Sequence, residues 1–337
     1  MSGVLKIPAL LPPRLTVCRS VMLVFALLDA LCAVAGAPEN AAPVPEAIPI
    51  HFAFSKSLFT EVNESDAKAA VKVYTQILAE ENGMDNAGGA LILDGRDILA
   101  EALRLDQVDV ISLTTEEFLT LEDEGLVGPL LLTSIKKSFT EEYVLLVREA
   151  SSLRKVQDLR GRNLIISSDI RASLGQIWLE VLCQQHGLRP AGGALKRVTR
   201  ASKATQVVLP VFFGTADACV TTRSSWEVMG EMNPQVRKLL RVLAVSPPLV
   251  PAMTCFRRGF SEYQRQRIID AAEACFAKPS FQQLMGLFKT DSMCAQPISV
   301  LESARELLAT HRRLGSSTNS LAARLPGSDP VQKGGGQ

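Results

Sequence analysis

The feature that most constrains this chain is an alternation of short apolar strands with amphipathic helices, run through twice. In the first pass, residues 50–54 and 90–93 read as strands around a helix that Ser65 caps. Its Ala67, Ala70, Val71, Tyr74, Ile77 and Leu78 recur at helical spacing until Gly83. A short helix over 96–105 leads to a strand over 108–113. Thr114-Thr115-Glu116-Glu117 then reads as a capping box that opens the next helix and engages its two glutamates. Residues 143–147 are apolar without a break, the pattern of a strand covered on both faces.

The second pass has strands over 164–167, 195–199, 217–221 and 240–245. Between them lie a helix over 173–186, one over 202–213 despite Pro210, and one from about 224. The first of these carries Leu174, Ile177, Trp178, Val181 and Leu182 on one face, with Gly187 at its end. After Pro247-Pro248, a strand over 252–256 and helices over 261–277, 280–288 and 298–312 complete the pattern.

Such alternation predicts an α/β fold with sheets covered on both faces by helices. Two series, with apolar strands at both joins, predict two lobes, each a mostly parallel sheet, linked by two hinge crossings. The expected boundaries are 48–148 plus 247–312 for one lobe and 149–246 for the other. Residues 38–47 read as an Ala/Pro-rich tether and 313–337 as a disordered tail. Ligands sit beyond the carboxyl ends of strands in such sheets, and in two lobes those ends can face one another across a cleft.

Composition then removes several classes. With 47% hydrophobic residues in 337, the chain has ample core. Its formal net charge of +1 argues against nucleic-acid binding by phosphate neutralisation. His51, His186 and His311 are scattered, with no HxxxH and no CxxC, which disfavours zinc sites and Ser-His-Asp chemistry. No GxGxxG, GxxxxGK[ST] or GxSxG occurs. No catalytic residue, metal or cofactor is therefore assigned, and no enzymatic activity is expected.

The first 37 residues have the layout of a secretory signal. Lys6, Arg14 and Arg19 precede an apolar run over 21–28, and Ala33, Ala35 and Ala37 supply a cleavage zone. Eight apolar residues before Asp29 are too few for a membrane span, which needs roughly 20. Cleavage is expected between Ala33 and Pro38, giving a periplasmic or secreted protein. Cys183, Cys219, Cys255, Cys275 and Cys294 remain in the mature chain, an odd number in which at least one is unpaired.

Several segments resemble one family in order and spacing. Residues 99–118, LAEALRLDQVDVISLTTEEF, are similar to an early element of periplasmic phosphonate-type solute-binding proteins. The strand from Tyr143 that ends in Val147-Arg148, the Asp158-Leu-Arg-Gly161 turn and the Ser173-Leu-Gly175 helix start resemble that family's entry to its second lobe. FFGTADACVTT over 212–222 and LRVLAVSPPLVPAMTCFRR over 240–258 match its later strand and return crossing. The resemblance spans roughly 48–290. It implies a type 2 periplasmic-binding-protein fold and the substrate-binding component of an ABC importer for phosphate-, phosphonate- or sulfonate-like anions. The expected partners are a small anionic ligand and either a permease or a sensor protein, with the binding protein itself a monomer. An enzyme on the same two-lobe fold is the remaining alternative.

Helix N-termini offer unpaired N–H donors and partial positive charge, so an oxyanion can bind there without a lysine. Two such starts qualify: Thr114 and Thr115 in the first lobe, and Arg171, Ser173, Leu174 and Gly175 in the second. A guanidinium at Arg171 suits a bidentate anion. The resemblance adds Ser55 and Lys56 after the first strand and Tyr143 before the crossing strand. Thr221 and Thr222 end the strand over 217–221. Related aminophosphonate binders present a carboxylate near there, whereas this chain has Thr221-Thr222-Arg223, which argues against an aminophosphonate ligand.

Overall fold

The computed structural model describes residues 50–59, 64–81, 90–134, 137–188, 194–279, 281–282 and 290–322. The expected signal over 1–37 and tether over 38–47 lie outside these residues, as do most of the expected helix over 280–288 and the tail beyond Ala322.

Two sheets organise the chain. The first contains β1 (Phe52–Ser55), β2 (Ala90–Leu93), β3 (Val110–Thr114), β4 (Val127–Ser134), β10 (Ala252–Arg257) and β11 (Ser292–Gln296), in the order β11-β4-β10-β3-β1-β2. The second contains β5 (Tyr143–Arg148), β6 (Asn163–Ser167), β7 (Arg197–Ala201), β8 (Ala218–Thr222) and β9 (Leu240–Val245), in the order β7-β6-β8-β5-β9. Each sheet is mixed where a mostly parallel one was expected. β1 runs parallel to β2 and β3, and β6 to β7 and β8. The strands flanking the crossings, β5 and β10, pair antiparallel with their neighbours.

The helices are α1 (Glu64–Glu81), α2 (Arg96–Arg104), α3 (Thr115–Asp123), α4 (Gly175–Gln185), α5 (Ala204–Phe213), α6 (Arg223–Met232), α7 (Pro234–Leu239), α8 (Glu262–Phe276) and α9 (Glu302–Ala322). α9 continues ten residues past the expected end at 312, through residues assigned from sequence to the tail. Its Leu307 and Leu308 are buried, and Leu314 packs against the same core. Among the described residues, no helix is long and apolar enough to cross a membrane.

The position of β5 shifts the expected lobe boundary. Placed with the first lobe from sequence, it pairs with β8 and β9 in the second sheet. Its alternation explains the unbroken apolar run. Tyr143, Leu145 and Val147 enter one core cluster, and Val144 and Leu146 enter another on the opposite face. The described parts of the crossings are therefore 137–142 and 246–251. An antiparallel bridge, Glu141 with Leu249, ties them together.

The largest core cluster runs from α3 (Phe118, Leu121) through Tyr143 and Leu249 to α4 (Trp178, Leu179), under α9 (Leu307, Leu308). α9 bonds to both lobes. Arg305 pairs with Glu122 of α3 at 2.8 Å, and His311 Nε2 meets Glu180 Oε2 of α4 at 2.7 Å. The helices whose N-termini were singled out from sequence thus share one apolar base.

Candidate functional site

A cavity of about 310 Å³ opens between the lobes, lined from both sides. From the first lobe come Ser57, Thr114, Glu116 and Glu117. From the second come the loop after β6, including Ser167 and Asp169, then Ser173, Leu174 and Gln176 of the α4 start, and Arg200 of β7. These positions lie at or just beyond the carboxyl ends of β1, β3, β6 and β7, where an α/β sheet admits a ligand.

On the first lobe, Thr114 caps α3 within a full capping box. Its N–H and hydroxyl both donate to Glu117 Oε2, at 2.9 and 3.0 Å. Two more hydroxyls, those of Ser55 at 2.7 Å and Ser57 at 2.8 Å, donate to Glu117 Oε1. Four hydrogen bonds thus converge on one carboxylate. Ser55 is fully buried beneath it. Lys56 points elsewhere and pairs with Asp94 at 2.7 Å. Thr115 is fully buried, and its hydroxyl donates to the Val250 carbonyl.

On the second lobe, the α4 start rests on β5 and β8. A Cβ on Gly175 would lie 3.6 Å from Val220 Cγ1 and 4.0 Å from Tyr143 Cδ2. Tyr143 is fully buried, and its hydroxyl accepts the Leu174 N–H at 3.4 Å. Burial pushes its phenol well above the usual tyrosine range, so it stays neutral. Ser173 donates to the Pro251 carbonyl at 2.9 Å. Thr221 and Thr222 are buried, and Thr222 caps α6 by accepting the Ser225 N–H at 3.1 Å.

Arg171 differs most from its sequence reading. Its Nε and Nη2 donate to Glu141 Oε2 at 3.0 and 2.8 Å. The same carboxylate, 5% exposed, accepts the Ser224 N–H at 3.2 Å and the Ser224 hydroxyl at 2.8 Å. The fork expected to hold a ligand is committed to an internal acid on the first crossing.

Of the sequence-predicted residues, Thr114, Ser173 and Leu174 line the cavity together. Ser55, Lys56, Thr115, Tyr143, Arg171, Gly175, Thr221 and Thr222 stand behind or beside it. Arg200, missed from sequence, is the one cation among the described lining residues, and its Nη2 donates to Gln176 Oε1. The strand expected over 195–199 stops short of it; β7 runs Arg197–Ala201 at the sheet edge, and only the tertiary fold turns Arg200 to the cleft. Among the described residues, no group of His, Cys, Asp and Glu could hold a metal ion, and Cys183, Cys219, Cys255 and Cys294 are free thiols.

A family model for the ABC transporter, phosphonate, periplasmic substrate-binding protein matches residues 58–288. The chain belongs to that family. Solved structures agree on the two-lobe fold. XAC2383 from Xanthomonas citri, bound to chloride ion, aligns at TM-score 0.58 and 18% identity, covering 79% of this chain and 99% of that one. PhnD1 from Prochlorococcus marinus, in complex with methylphosphonate, aligns at 0.54 and 12%, covering 80% and 99%. A binding-protein component of an ABC phosphonate transporter from Pseudomonas aeruginosa aligns at 0.51 and 13%, covering 82% and 99%. No curated protein matches in sequence. At these identities the likeness to solved structures is one of fold, while the family match carries the role: a periplasmic solute-binding protein.

Proposed function

We propose that this member of the family captures a small oxyanion in the cavity between its lobes and delivers it to an ABC permease. One observation carries the reading: the α4 start and the Arg200 guanidinium line the same cavity, facing residues of the other lobe. The first amides of a helix have no intrahelical acceptor and sit at the positive end of its dipole. A guanidinium beside them adds charge and a planar fork. Because both lobes line the cavity, a bound ligand stabilises the closed arrangement and shifts the population toward it. The protein acts as an exported monomer, with cleavage between Ala33 and Pro38, and it turns over no substrate.

The test is a thermal-shift screen of methylphosphonate, methanesulfonate and inorganic phosphate against neutral and cationic solutes, followed by calorimetry. An oxyanion that raises the melting temperature, and loses about 10-fold or more in affinity on Arg200→Ala, is the expected result. Stabilisation by neutral or cationic solutes alone would sink the anion reading and leave the binding-protein fold standing.

A further inference from the structure

We infer that Glu117 is a built-in occupant of the first lobe's oxyanion position, and that it selects monoanionic over dianionic ligands. The inference rests on the oxyanion reading above and adds a charge rule to it. A capping box needs only the exchange between Thr114 and Glu117. Here the Ser55 and Ser57 hydroxyls, some 60 residues distant in sequence, also close on the same carboxylate. An ionised carboxylate has about four acceptor sites. The two serine hydroxyls with the Thr114 N–H and hydroxyl fill that number. The Ser55, Ser57 and Thr114 hydroxyls, which could have gripped a ligand at the α3 start, are spent on a side chain that itself lines the cavity.

The second lobe repeats the arrangement away from the cavity. At the α6 start, Glu141 takes up Arg171 and both donors of Ser224. That leaves the α4 start, with Arg200, as the place for the ligand's charge. Around it, Glu116, Glu117 and Asp169 bring three carboxylates against one guanidinium. A second negative charge on the ligand would face these carboxylates without gaining any of those hydroxyls. Like charges a few ångströms apart at a protein surface repel enough to decide such a preference.

The probes are methanesulfonate, a monoanion, and inorganic phosphate at mildly alkaline pH, where it is mainly dianionic. Wild-type protein should bind methanesulfonate about 10-fold or more tightly than phosphate. Glu117→Gln removes the charge but keeps a residue suited to the capping box, so α3 stays capped. Its amide donates back to some of the hydroxyls and frees their hydrogens for the cleft. Phosphate affinity should rise about 10-fold while methanesulfonate changes less. Glu116→Gln relieves charge alone and should give a smaller gain. Melting curves for both variants report on folding. Wild-type protein that prefers phosphate would overturn the inference without recourse to any variant. So would a Glu117→Gln gain no larger than that of Glu116→Gln. If neither anion binds wild type or variants, the oxyanion reading fails with it. If both bind and Glu117→Gln leaves their ratio unchanged, only the inference fails.

Discussion

Ser173, in the second lobe at the mouth of α4, donates its hydroxyl to the carbonyl of Pro251, the residue that leads into β10 of the first lobe. The same carbonyl accepts the Thr115 N–H at 3.1 Å, at the start of α3. One backbone oxygen thus joins both helix starts beside the cavity. A hydroxyl read from sequence as a ligand donor acts here as a latch between the lobes.

Ser173→Ala should therefore act on closure. A neutral hydrogen bond of this kind contributes about 0.5–1.5 kcal/mol, which corresponds to roughly 2- to 12-fold in the affinity of a ligand that needs the closed form. The melting temperature without ligand should change little. Calorimetry measures the first quantity, and small-angle scattering of the ligand-free variant shows whether the lobes spread. Unchanged affinity and unchanged dimensions would mean that the latch carries no weight.

Arg171→Ala should cost stability more than binding. It strips two charge-assisted hydrogen bonds from a carboxylate that is 5% exposed, leaving Glu141 to Ser224 alone. A loss of about 2–3 kcal/mol is expected in denaturant melts, with Arg171→Lys in between because the charge survives and the fork does not. Affinity for methanesulfonate should move by less than about 3-fold. The opposite pattern, stable protein that no longer binds, would return Arg171 to the ligand.

The two-pass rhythm of the fold was legible because β5, α3 and α4 carry strong local signals: an unbroken apolar run, a capping box and an apolar helix face. β4 and β11 were not. β4 begins Val127-Gly-Pro129, where Gly and Pro mask a strand pattern, and the structure fits Pro129 where the β4–β10 register shifts. β11, Ser292–Gln296, lies at a sheet edge with little strand propensity and takes its form from pairing with β4. In the site, residue types at strand ends were readable, and Thr114, Ser173 and Leu174 do line the cavity. What each donor bonds was not readable. Glu141 and Arg171 are 30 residues apart, Ser55 and Glu117 are 62 apart, and nothing local pairs them.

Gly214 ends α5 at φ 79°, the left-handed region. A Cβ built there would stand 2.7 Å from Arg148 Nη1. Gly214→Ala should cost about 1–2 kcal/mol for the backbone plus displacement of that guanidinium. Gly161→Ala, at φ 71° with nothing within 4 Å, should show the backbone cost alone. Adding Arg148→Ala to Gly214→Ala should recover the difference, which chemical denaturation of wild type, Gly214→Ala, Arg148→Ala and the double variant would read as a coupling energy. Equal losses at Gly161 and Gly214 would remove Arg148 from the account.

The cysteines should separate into two kinetic classes. Cys183, Cys219 and Cys255 are fully buried, and Cys275 is 1% exposed. Burial, helped by the nearby Glu180 charge, pushes the Cys183 thiol up to about 11, and burial alone pushes Cys219 and Cys255 higher still. The thiolate is the reactive form, so near neutral pH these groups are both shielded and protonated. Cys294 differs: it lies half-buried on the edge strand β11, where its Sγ accepts the Gln296 side-chain amide at 3.2 Å. In native mature protein, iodoacetamide should label Cys294 first. The other four should follow only as fast as the fold opens, a rate that increases with denaturant. Cys294→Ser should remove the fast phase and leave the slow one intact. Peptide mapping that finds Cys219 or Cys255 labelled as fast as Cys294 without denaturant would show that the second lobe or the β10 core opens on its own, below the threshold for global unfolding.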